Sequence, residues 1–430
     1  MNPLAKPLLA AVAAISLLAA APLPVVTRNG GVTMITQQDA AAPLLHVVFV
    51  VRAGLDRESL AQNGLAALTA QTILQTPVKG VALIDAVSAA GGSIAFTIDP
   101  VDVRFTIESL PQDADTVLGL VRTALAAPAF DAATVKAARA KLLERIAENQ
   151  QVALQVGLDM LSSVQSNSAN LGLPEYGIPA ALAQFVPDDV KAFYATYYRR
   201  GGSYVSAAGR IDGLAAGTLA ALGQTLADGS TQPIEVKLPK LTGTSRQLVA
   251  QRDVNAPWLI AQYPAPAVSS KDFGPMLVLA SFMQRTLADM ADVPGVVSDT
   301  YASHAVGAVY QYEGSQPSLV LYVNGGIGNP NRAFSTALSI ASILATTKLE
   351  GSIEDYKSAA SGAFISSTNT LEARAWLAVI YDESGGQPNY ISRTLDAIAQ
   401  TNSADLQRVA RTYLGNPTIA LVLPRDGGNT

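Results

Sequence analysis

The 430-residue chain contains no cysteine and only two histidines, His46 and His304. Disulfides, thiolate nucleophiles, iron–sulfur clusters and cysteine-based zinc sites are therefore excluded. Charge is also scarce, with 15% charged residues, and 29 Lys and Arg against 34 Asp and Glu give a net charge of −5. No basic cluster exceeds the pair Arg199-Arg200, so the chain lacks the field that neutralises phosphates and nucleic acid is not an expected partner. Long hydrophobic runs are missing apart from Leu8 to Ala21, which falls short of the roughly 20 residues that a membrane-spanning helix needs. There is no G-x-S-x-G, Walker A loop or G-x-G-x-x-G, which leaves serine-hydrolase and nucleotide-binding chemistry without a motif.

What is present begins with an export signal. Lys6 precedes the apolar run, and the run ends on Ala19-Ala20-Ala21. Residues 1–21 read as a secretory signal peptide, and the periplasm is the expected location. Pro22 obscures the cleavage point, so retention as an uncleaved anchor is the alternative. After signal removal no stable membrane span is expected. The 49% hydrophobic content argues against disorder.

Strand-like and helix-like segments interleave along the rest of the chain. Leu44 to Val51 is a continuous apolar run, as in a strand covered on both faces. A helix is expected from Gly64 to about Leu74, a turn at Gly91-Gly92, a strand within Val101 to Ile107, and a helix from Asp131 to about Asn149. The order then recurs. Asp189, Val190, Phe193 and Tyr197 lead into a strand at Tyr204 to Ala207, and Asp405, Leu406, Val409 and Tyr413 lead into Ile419 to Leu423, 216 residues later. The expected fold class is α+β, with two homologous α/β domains in tandem, each a mostly antiparallel sheet packed with helices. Their expected limits are residues 25–227 and 247–430. The Gly-, Pro-, Ser- and Thr-rich stretch 228–246 is the linker.

The string Val51-Arg52-Ala53-Gly54, then Glu58, then Asn63-Gly64-Leu65-Ala66 resembles the opening of the pitrilysin/insulinase-type zinc metallopeptidases. The resemblance continues through Ala90-Gly91-Gly92-Ser93, Pro128-Ala129-Phe130-Asp131 and the helix near Asp189. In that family an H-x-x-E-H helix binds zinc and supplies the general base, and a later Glu completes the site. The resemblance places the first His at Ala67, the base at Ala70, the second His at Gln71, and the later Glu at Arg145, or at Glu144 if the register slips by one. The metal-binding and catalytic side chains are thus replaced, and no cofactor is expected in this chain. Zinc is expected only in a partner subunit. One expectation is that Gln71 hydrogen-bonds Arg145 and plugs the former metal pocket. The family's Arg and Tyr of the second domain fall on Pro294 and Ser298, both degenerate.

The edge strand that holds peptide in the family matches Ser93, Ile94, Ala95, Phe96, Thr97 and Ile98, and strand addition needs only backbone groups. The resemblance implies a non-catalytic subunit that pairs with an active zinc peptidase of the same fold to enclose peptides or unfolded polypeptide. A scaffold or peptide-binding protein without a peptidase partner is the main alternative, and an active peptidase with a non-canonical site is another. His46 and His304 read as structural. Asp99 and Asp102 read as a solvated turn, Gly325 to Pro330 as a turn, and Phe193, Tyr194, Tyr197 and Tyr198 as core packing. Arg139, Lys141, Glu144, Arg145 and Glu148 read as the polar side of a helix.

Overall fold

The computed structural model describes residues 23–165, 172–231, 246–291, 306–313, 316–324 and 353–425, with isolated positions between 335 and 346. The signal segment, most of the linker, Pro294, Ser298, His304 and the Gly325 to Pro330 stretch lie outside the described residues.

Six strands form the sheet of the first half: β1 (Val25–Asn29), β2 (Val32–Gln38), β3 (Leu45–Val51), β4 (Gly92–Ile98), β5 (Val103–Ser109) and β6 (Ser203–Gly209). Their order is β1-β2-β6-β3-β5-β4. The second sheet comprises β7 (Arg246–Arg252), β8 (Trp258–Pro264), β9 (Val306–Gln311), β10 (Ser318–Asn324) and β11 (Thr418–Pro424), ordered β7-β11-β8-β10-β9. In each sheet one pair is parallel, β2 with β6 and β7 with β11, and the remaining neighbours are antiparallel.

Apart from the extra β1, the two orders superimpose strand for strand. Equivalent strands begin at Val32 and Arg246, Leu45 and Trp258, Gly92 and Val306, Val103 and Ser318, and Ser203 and Thr418. A shared order with shared directions is the duplication expected from the recurring pattern.

Local sequence explains each element. All seven residues of β3 are buried, because Leu45, Val47, Phe49 and Val51 enter the first core while Val48 and Val50 enter a second. That double burial is why the run is apolar without alternation. Helix α1 (Leu65–Gln75) and α2 (Leu83–Ala89) follow, then α3 (Ala114–Ala126) and α4 (Ala132–Asn149). Asp131 caps α4 by accepting the N–H groups of Ala133 and Thr134 at 2.9 and 3.0 Å, a satisfied helix start. Val135, Ala138 and Leu142 of α4 are buried in the first core.

Two further helices cross between the halves. Helix α5 (Ala153–Gln165) follows α4 but lies on the second sheet, where Ala153, Val156 and Leu161 share a core with Ile260, Val320, Ala420 and Val422. Gly157 permits this close seat, since a Cβ there would stand 2.3 Å from Ile260 Cδ1.

In the second half, α6 (Pro187–Tyr197) of the first domain finds its counterpart in α11 (Ser403–Tyr413), after α7 (Phe273–Ala291), α8 (Ile353–Ser367), α9 (Leu371–Glu383) and α10 (Tyr390–Gln400). Helix α9 is the counterpart of α5 and lies on the first sheet. Its Ala375, Trp376, Leu377 and Ala378 share a core with Ile35, Val48, Val50 and Tyr204. Each half therefore lends one helix to the other.

Candidate functional site

The matched positions sit on two packed helices, α1 and α4. Every residue from Leu65 to Leu74 is buried. Ala67 and Ala70 are 0% exposed, and Gln71 is 8% exposed. The helix starts at Gly64, whose φ of 98° lies in the left-handed region that glycine tolerates best.

A buried carboxylate completes that start. Glu58 accepts the N–H of Gly64 at 3.1 Å, the N–H of Ala66 at 2.6 Å and Asn63 Nδ2 at 3.0 Å. An anion at a helix start satisfies its free donors and the dipole. Burial nevertheless pushes the Glu58 carboxyl up to about 7, against the pull of those donors.

Helix α4 brings Arg145 to the same region, where its guanidinium lies 4.1 Å from the Tyr176 ring centroid and 5.7 Å from that of Phe96. The two rings meet edge-on at 6.3 Å. Among the described residues no hydrogen bond joins Gln71 to Arg145, which corrects the expected plug. A planar guanidinium is stabilised by aromatic faces, and that is where Arg145 goes rather than to solvent with Lys141 and Glu144. Its neighbours do follow the amphipathic reading, since Glu144 pairs with Lys141 at 2.9 Å on the exposed side. A one-residue slip therefore does not rescue a ligand at Glu144.

Zinc does not fit this constellation. Two methyl side chains, one neutral amide and a fixed cation offer no donor set for a dication. Among the described residues no group of three or more His, Asp or Glu is placed to hold a metal ion. His46 is buried at 3% exposure, with Nδ1 3.7 Å from Glu108 and Nε2 without a partner. Burial lowers its pKa against the opposing effect of Glu372 and Glu108.

Beside Arg145 lies a cavity of about 250 Å³ lined in part by Asp159, Glu175 and Tyr176. Burial, and then the charges of Asp99 and Asp159, push Glu175 up to about 7. Next to it runs β4, one of the two edge strands of the first sheet. Ile94, Phe96 and Ile98 point into the core, whereas Ser93 and Ala95 are exposed and Thr97 is half-buried. Among the described residues, this main chain is hydrogen-bonded only to β5. The equivalent edge of the second sheet differs. There Ala308 N–H donates to Gln284 Oε1 at 2.7 Å, and α7 thereby occupies one donor of β9.

The seam between the halves carries charge that the sequence reading missed. Arg52 grips Asp102 with one nitrogen at 2.7 and 2.9 Å to its two oxygens and reaches Glu383 of α9 with the other. Arg104 lies 4.1 Å over Trp376. A cavity of about 270 Å³ between the halves is lined by Asp99, Asp102, Glu313 and Glu383 together with Trp376 and Tyr312. Asp102 is only 3% exposed, so the reading of Asp99 and Asp102 as a solvated turn is wrong. Burial raises Asp102, Glu383 and Asp99 above the ordinary carboxylate range, partly opposed by the arginines. Nothing local in the sequence announces this pairing, since Arg52 and Glu383 are 331 residues apart.

Comparison with known proteins adds the family. Residues 33–177 match the model for Insulinase (Peptidase family M16). None of the curated proteins matches the chain. A solved structure described as a protease from Helicobacter pylori is 15% identical, with a TM-score of 0.79 over 94% of this chain and 100% of its own. A peptidase M16 inactive domain from Pseudomonas fluorescens is 11% identical, with a TM-score of 0.78 over 95% of this chain and 100% of its own. A chain of Complex III2 from Candida albicans is 14% identical, with a TM-score of 0.72 over 93% of this chain and 95% of its own. Residues 33–177 thus match the insulinase family, peptidase family M16, and the chain as a whole shares the fold of these solved structures.

Proposed function

We propose that this chain is a non-catalytic subunit of an exported peptidase, paired with an active zinc subunit of the same fold and forming one half of a peptide-enclosing chamber. The observation that carries this reading is the contrast between its two inherited features. The helix that would hold zinc is filled with Ala67, Ala70 and Gln71 and faced by a stacked Arg145, whereas the β4 edge keeps an open backbone suited to strand addition. Occupation of one donor of the equivalent β9 edge by Gln284 favours the first half as the peptide-binding side.

The periplasm, the division at residues 228–246 and the absence of a bound cofactor belong to the same proposal. Zinc would enter with the partner. The experiment is an affinity pull-down of the tagged chain from its native host, followed by native mass and metal analysis. Recovery of a similar-sized subunit bearing H-x-x-E-H, with one zinc per pair, is the expected outcome. Recovery of the lone, metal-free chain would sink the paired reading. A scaffold role is the second reading, favoured by the shared fold with a chain of Complex III2.

A further inference from the structure

A cavity of about 450 Å³ opens in the second half, between the loop leading into α7 and the segment from the end of α9 through α10. It shares Val268 and Ser384 with the seam cavity but none of that cavity's carboxylates. Two cations line it, Lys271 and Arg393, and both are exposed. Neither forms an ion pair among the described residues, and no Asp or Glu among them lines the cavity. Ser269 and Ser270 add hydroxyl groups.

The equivalent place in the first half supplies its own anion. There Glu58 lies buried ahead of α1 and takes the N–H groups of Gly64 and Ala66. Ahead of α7 the nearest acid, Asp272, is turned away to Arg408 and to the Tyr413 hydroxyl, which donates to it at 3.3 Å. A concave surface with two cations outside any ion pair attracts negative charge more strongly than a flat one.

We infer that this cavity is a binding site for a compact oxyanion, a phosphate or a carboxylate group, held by Lys271 and Arg393. Arg393 supplies planar paired donors and Lys271 a point charge. The inference does not rest on the peptidase reading and extends beyond it.

The test is calorimetric titration of the full chain at low ionic strength with inorganic phosphate and, separately, with succinate. Saturable binding of one anion per chain is expected, weakened about tenfold by Lys271→Ala or Arg393→Ala and lost in the double variant, as removal of a charged hydrogen bond predicts. Because both side chains are exposed, the variants should melt as the parent does without ligand. Tighter binding of phosphate would assign a phosphate site, and tighter binding of succinate a carboxylate site. Absence of saturable binding by both anions, or binding that is unchanged in the double variant, would overturn the inference.

Discussion

At the scale of single residues, the degenerate site is a structural element in its own right. Removing the guanidinium in Arg145→Ala deletes the contact over Tyr176 and Phe96. Urea denaturation should register a loss of about 1 kcal/mol; an unchanged midpoint would mean the stack is incidental. Glu58→Ala should cost more, about 2–4 kcal/mol, because it leaves the N–H groups of Gly64 and Ala66 buried without the carboxylate that accepts them. Glu175 gives a pH signature. Its folded pKa, pushed up to about 7 by burial and the nearby carboxylates, lies above its unfolded value. The folded state therefore binds its proton more tightly, and the associated stability is present below about pH 4.5 and lost as pH rises through about 7. Glu175→Gln should match the parent near pH 4.5 and exceed it in melting temperature at pH 8. A constant difference across that range would refute the assignment.

Among the elements, those with local signals were legible. β3 is an apolar run interrupted only by His46, α4 is announced by Asp131 and its periodic Val135, Ala138 and Leu142, and the duplicated segments share their spacing. The helix that carries Ala67, Ala70 and Gln71 was equally legible, because its flanking motif fixes it. Arg145's choice of aromatic faces was not, since Phe96 and Tyr176 reach it from other elements. The crossings of α5 and α9 were also hidden, because an amphipathic helix does not state which sheet it will cover. The edges allow a direct test of the asymmetry between the halves. Gln284→Ala should free the Ala308 N–H and lower stability by about 1 kcal/mol. It should also let β9 pair with another chain, seen as concentration-dependent association by light scattering. A strictly monomeric variant of parental stability would show that Gln284 does not guard that edge.

For the molecule as a whole, the exchange of α5 and α9 makes the two halves one cooperative unit. The first sheet without α9 would expose Ile35, Val48, Val50 and Tyr204. It would also lose the pairs of Arg28 with Asp382 at 2.6 Å and of Arg374 with Asp39 at 3.0 Å. Residues 23–231 expressed alone should lack a sharp thermal transition. Co-expression with residues 246–425 should restore one. A sharp transition for the isolated first half would contradict this. The seam charges act at the same scale, since Arg52 joins Asp102 of one half to Glu383 of the other and breaking a buried pair costs more than the pair itself contributes.

The same exchange sets a timetable for synthesis. A ribosome finishes the first sheet about 160 residues before it delivers α9, and at 5–20 residues per second the uncovered face waits for about 8–30 seconds. The sheet under α5 is completed later still, since β8 and β10 are made within that interval but β11 only after α9. The nascent first half is thus a natural client for a holding chaperone until residue 383 has emerged, and a ribosome stalled before that point would release an aggregation-prone product.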